Sequence, residues 1–110
     1  MSDDTTEPAE LGAIATRLLY EDDKVAIWEQ RLAPGEATDA HLHENAYILI
    51  DVEGDKLRVD PADGYENPHF DESFELYTKP GRALEVPAGS YELAVNTGAS
   101  AYHGILVELK

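Results

Sequence analysis

His41 and His43 are separated by a single residue inside a run with strand character. Alternate side chains of a strand share a face, so both imidazoles can point at one spot a few ångströms away. That is how a strand presents a metal ion. The chain has no cysteine, which excludes disulfides, thiol chemistry and zinc–thiolate sites, so any ion must be held by nitrogen and oxygen. The pair alone is a weak signal. The flanking glycines Gly35 and Gly54, and a second turn-rich stretch from Gly81 to Asn96, strengthen it.

The strand that carries the pair is expected over approximately Asp39 to Val52. One face would hold Asp39, His41, His43, Asn45, Tyr47, Leu49 and Asp51, a mixture of polar and apolar groups that suits a ligand-lined cavity. The other face, which includes Leu42, Ile48, Ile50 and Val52, is mostly apolar. It is expected to be covered by another strand or by a second subunit, and the latter points to a homodimer. Upstream, Val25 to Leu32 alternates and is rich in β-formers, so it reads as a strand. Leu11 to Tyr20 fits either a helical turn or a first strand over Thr16 to Tyr20.

Downstream, short strands are expected at Lys56–Val59, Phe74–Thr78, Ala83–Val86, Tyr91–Val95 and Tyr102–Leu109. Pro and Gly punctuate them at Pro61 to Gly64, Pro80-Gly81 and Pro87 to Gly89. Tyr65 to Ser73 is irregular and polar and reads as a surface loop. Frequent turns without a convincing long helix predict an all-β barrel or sandwich. Met1 to Glu10 has no periodicity and reads as a disordered arm, leaving residues 11–110 as one domain.

With 23 acidic and 8 basic residues the formal net charge is -15. That disfavours nucleic acid and anionic membranes as partners. The N-terminus lacks the basic start and apolar core of a signal peptide, and no apolar run approaches the ~20 residues of a membrane span. A cytoplasmic location is the expectation.

These residues resemble a cupin, a small jelly-roll barrel of two facing antiparallel sheets. The first cupin motif runs Gly, five residues, His, one, His, three or four, Glu, six, Gly. Gly35, His41, His43 and Gly54 fall on it, with Tyr47 where Glu is expected. The second runs Gly, five, Pro, one, Gly, two, His, three, Asn. Gly81, Pro87, Gly89 and Asn96 fall on it, with Glu92 where His is expected. Eight of the ten positions match, and both departures are at ligand positions. The resemblance spans Gly35 to Asn96 and is similar to small, single-domain, RmlC-like cupins of the β-alanine-degradation type.

The resemblance implies that the face bearing Glu92, Ala94 and Asn96 meets the one bearing His41 and His43. The site would then be His41, His43, Glu92 and Tyr47, with the carboxylate in effect moved from the first motif to the second. Two imidazoles and one carboxylate suit a divalent iron, manganese, nickel or zinc ion. Tyr47 would ligate only if the ion displaces the proton of a phenol whose ordinary pKa is about 10; otherwise it donates a hydrogen bond or a proton. Glu92 and Tyr47 are the candidate catalytic residues. His103 is expected either partly exposed or lining the barrel in place of the missing histidine. His69 is expected at the surface, and Arg31 and Arg58 could each reach a substrate carboxylate or a surface acid.

The leading functional expectation is a metal-binding cupin that takes a small polar organic molecule, with oxygenase, isomerase and lyase chemistry all open. A non-catalytic binding module with a degenerate metal site is the alternative. A third is a structural, dimer-forming β-domain.

Overall fold

The structure, a computed structural model, describes residues 8–110. Nine strands follow one another: β1 (Arg17–Glu21), β2 (Val25–Leu32), β3 (His41–Leu42), β4 (Tyr47–Glu53), β5 (Lys56–Pro61), β6 (Phe74–Tyr77), β7 (Ala83–Val86), β8 (Tyr91–Asn96) and β9 (Tyr102–Leu109). They form two antiparallel sheets, ordered β1-β2-β9-β4-β7 and β3-β8-β5-β6. There is no helix among the described residues, so the expected all-β jelly roll is the fold. The ambiguous N-terminal stretch resolves as strand β1. The expected arm lies outside the described residues over 1–7. Ala9, beyond it, is tied to the β5–β6 connection, donating its N–H to the Asp63 carbonyl and accepting from the Tyr65 hydroxyl.

The inner faces follow from period-two alternation. On β2, Ala26, Trp28, Gln30 and Leu32 stand opposite Glu108, Leu106, Gly104 and Tyr102 of β9. Ala15, Tyr47, Leu49 and Leu106 form one buried cluster, with Ile14, Trp28, Leu76 and Val86 packed against it. Leu32, Leu57 and Tyr102 form a second. At one end Asp51, 2 % exposed, accepts from the Tyr102 hydroxyl at 2.8 Å and from the Lys79 N–H and Arg82 Nη2 at 2.9 Å. Gly54 turns the chain there with φ of +144°, and a Cβ would sit 2.9 Å from the Tyr102 ring. Only glycine meets both demands.

One sequence expectation is corrected. Asp39 to Val52 is not a single strand: β3 belongs to the smaller sheet and β4 to the larger. His43 still exchanges backbone bonds with the β7–β8 turn, through Ser90 and Gly89, whereas Ala46 already bonds Leu109 of β9. Residues 43–46 therefore form a corner between the sheets. The alternation runs straight through it, with His41, His43, Tyr47, Leu49 and Asp51 all buried. The opposite face is only half-covered in the chain by itself: Ile48 and Ile50 are half-buried and Val52 is 43 % exposed.

Asn96 closes the barrel from within. Its side chain donates to the Leu32 and Ser100 carbonyls and accepts from the Gly98 N–H, each at 2.9 Å. Replacing it strands buried backbone groups. Asn96→Ala is expected to cost about 2–4 kcal/mol, read as a lower urea midpoint at unchanged m-value.

Candidate metal centre

Register brings the two motif stretches together. His41 of β3 is directly opposite Glu92 of β8, and directly opposed residues project from the same face of a sheet. His43 follows two residues later on that face, and Tyr47 opens β4 just past the corner. His41, His43, Glu92 and Tyr47 are all buried.

The ligand atoms converge. His41 Nε2 lies 3.0 Å from His43 Nε2, which lies 3.1 Å from Glu92 Oε1. One ligand atom from each of the three residues lies within 4.8 Å of the others. Ligands at right angles around an ion ~2.1 Å away stand ~3 Å apart, so these spacings fit a shared ion. His41 Nδ1 is 2.7 Å from the Asp39 carbonyl. A carbonyl only accepts, so Nδ1 carries the proton and Nε2 offers its lone pair to the cluster, as metal-ligating histidines do. His43 Nδ1 is buried without a partner. Its ring is instead steadied by stacking on Tyr47, with centroids 4.2 Å apart and planes 25° from parallel.

The local electrostatics favour neutral imidazole beside a neutral phenol. Burial first, and the neighbouring His43 second, lower the His41 pKa below that of a free histidine. Burial, and then the charge of Glu92, push the Tyr47 phenol far above its ordinary value. Its hydroxyl donates towards Glu92 Oε1 at 3.5 Å.

The cluster opens onto a cavity of about 290 Å³ between the sheets. Its wall is mainly apolar, including Leu49, Leu57, Val59, Leu76, Val86 and Leu106. Among the described residues, no lysine or arginine lines it. Arg31 pairs with Glu29 at 2.7 Å and Arg58 with Asp60 at 2.8 Å, so both candidate carboxylate binders are surface ion pairs. His103 does not line the barrel. It projects from the outer face of β9, 3.0 Å from Glu29 Oε1 and partly exposed, so of its two expected placements this is the exposed one and it does not stand in for a missing ligand. His69 is exposed, as expected, and lies 3.0 Å from the Ala88 carbonyl. The loop that carries it is more than surface, because Phe70 and His69 border the cavity. The sequence reading passed over Gln30, a polar residue on the inner face of β2 that also lines the cavity. Its signal was a single amide set between Trp28 and Leu32 in an apolar alternation.

No family model and no curated protein matches the sequence. Solved structures do match in fold. A cupin domain from Bordetella pertussis superposes with a TM-score of 0.72 at 23% identity, covering 91% of this chain and 95% of that one. An RmlC-like cupin family protein with a double-stranded β-helix fold from Methanocaldococcus jannaschii gives 0.64 at 18% identity, covering 94% and 90%. The polyketide cyclase RemF from Streptomyces resistomycificus gives 0.58 at 20%, covering 80% of this chain and 56% of that one. The chain has the cupin fold.

The lowered His41 pKa has a thermodynamic consequence. The unfolded chain binds a proton at this site more readily than the folded one. Stability from this group is therefore complete above the unfolded value of ~6.5 and is lost as pH falls through the lower folded value. Metal-free protein is expected to weaken as pH drops below 6.5, by up to about 1.4 kcal/mol per pH unit from this one group. Urea midpoints measured across that range check it, and His41→Gln should flatten the slope.

Proposed function

We propose that this cupin-fold chain binds one divalent transition-metal ion through His41, His43 and Glu92 and presents it to a small organic molecule in the adjoining cavity. The observation that supports this most is the convergence of two imidazoles and a carboxylate, all buried, with no Lys or Arg among the described residues placed to neutralise the acid. A buried carboxylate otherwise needs a cationic partner.

A bound ion supplies a Lewis acid that polarises a carbonyl, carboxylate or hydroxyl of the molecule beside it. The chain's own residues do the rest. The Asp39 carbonyl fixes the His41 tautomer, Tyr47 holds the His43 ring, and the Tyr47 hydroxyl keeps its proton for donation next to Glu92. The mainly apolar walls leave few polar groups to compete around the space where reaction would occur. We read the chain as a metal-dependent enzyme on these grounds. That one protein of similar fold is a polyketide cyclase is consistent with catalysis on such a barrel, although fold does not choose the reaction. The apolar wall also favours a second reading, a binding module that holds its ligand by burial without turnover.

Protein reconstituted with zinc is expected to carry about one ion per chain by elemental analysis. The double variant His41→Ala with His43→Ala should carry none. Glu92→Gln should weaken the ion roughly tenfold or more, and Tyr47→Phe should leave the stoichiometry unchanged. Wild type that holds no metal after reconstitution would overturn the proposal. A cavity ligand that raises the melting temperature equally with and without chelator would favour the binding module.

A further inference from the structure

The two sheets differ on their outer faces. On the smaller sheet, ion pairs made within the chain run across β5 and β6, Lys56 with Glu75 and Arg58 with Asp60. On the larger sheet the centre of the outer face is uncharged. Ile27 of β2, Ile105 and Val107 of β9, and Ile48 and Ile50 of β4 stand on neighbouring rungs, all half-buried in the chain by itself. Tyr20 of β1 continues the Ile27 rung outward and is 52 % exposed. Five strands ~4.8 Å apart, the longest of eight residues rising ~3.4 Å each, make a face on the order of 600 Å². Two such faces together reach the area of about 1,200 Å² at which specific interfaces begin.

Charge on this face is sorted by edge. Arg17 and Arg31 lie on the β1–β2 side, where both hold the buried Glu29. Arg31 donates to that acid through Nε, which leaves the outer nitrogens of its guanidinium for another carboxylate. Glu53 and Glu85 lie on the β4–β7 side, opposite His103 and Ile48. Both are exposed, and neither forms an ion pair among the described residues. Two copies of a chain with net charge -15 repel each other, and a face whose own charges nearly cancel is where that repulsion is least.

We infer that the outer face of the larger sheet seats a second copy of this chain, packed face to face about a two-fold axis that runs along β9. β9 is the middle strand of the five, so this axis sets β9 against β9 of the second copy and exchanges β2 with β4 and β1 with β7. The rungs then complement themselves, as an isologous contact requires. Ile105 and Val107 meet their own counterparts, and Ile27 meets Ile48 of the second copy, since both share the Val107 rung. Arg31 meets Glu53 of the second copy, since both share the His103 rung, and Arg17 comes beside the strand that carries Glu85. An apolar centre with a charged rim is the ordinary anatomy of a specific interface. A basic partner would be drawn to the acid elsewhere on the chain, whereas a second copy satisfies both edges of this face at once.

Light scattering on the full chain should give twice its mass of 12.1 kDa. Val107→Lys sets two ammonium groups against each other on the axis and should weaken the dimer roughly hundredfold or more. Glu53→Lys alters only an exposed side chain and faces Arg31 of the second copy with a cation; it should weaken the dimer roughly three- to tenfold and decides the matter should Val107→Lys melt early. The chain has no cysteine, so Val107→Cys treated with a short bismaleimide should be linked into dimers. Leu93→Cys, opposite Asp60 on the outer face of the smaller sheet, should not. A monomeric wild type, which would leave this face to a different protein, a dimer unmoved by either lysine variant, or linkage through Leu93→Cys in place of Val107→Cys would each overturn the inference.

Discussion

The pairing of β3 with β8 is the constraint on which the site depends. It is short, two residues of β3 against two of β8, yet it sets His41 across from Glu92 and so joins two stretches about fifty positions apart in sequence. A shift of one residue would turn Glu92 to the opposite face, because side-chain direction alternates strictly along a strand. Backbone bonds on either side hold the register: His43 with Ser90 and Gly89, and Thr38 with Ala94. The glycines and proline of the second stretch matter for the same reason. Gly89 takes φ of +109°, a conformation other residues resist, and it starts β8 at the right place.

Around this pairing the chain separates two kinds of chemistry. Asp51, Tyr102, Arg82 and Lys79 form a satisfied polar knot at one end of the barrel, with acid, phenol and guanidinium each partnered. The His41, His43 and Glu92 cluster is different. Its acid faces imidazoles and a neutral phenol rather than a cation, and one ring nitrogen is buried without a partner. A partnered knot serves stability. An under-partnered cluster beside an apolar cavity is what a ligand-binding centre requires.

Much of this was legible in the sequence. The HxH pair, the displaced carboxylate at Glu92 and the turn glycines have fixed spacings, and spacing is what a linear chain displays. The corner at residues 43–46 was not legible, since a strand that changes sheets keeps its alternation and only its hydrogen-bond partners change. The side of the barrel on which His103 lies was ambiguous for a related reason. Both faces of β9 are apolar, with Tyr102 and Leu106 on one and Ile105 and Val107 on the other, so periodicity groups the residues without saying which group is inside. Gln30 needed three dimensions. Only the folded chain sets its amide against the Thr16 hydroxyl, fourteen residues away by sequence and 2.9 Å away in space.

The arrangement of sheet edges has a mechanical corollary. β6 ends one sheet and β7 ends the other, and Phe74, Leu76, Leu84 and Val86 from these two edges all border the same cavity. Among the described residues no ladder joins β6 to β7; what the two edges share is the cavity that their apolar side chains border. Prising the two edges apart separates apolar surfaces that are already partly wet, with Phe74 43% and Leu84 37% exposed, and breaks no rung of either sheet. The hydrogen-bonded ladders stiffen each sheet along its strands, whereas the wall between these two edges has no such ladder to resist deformation.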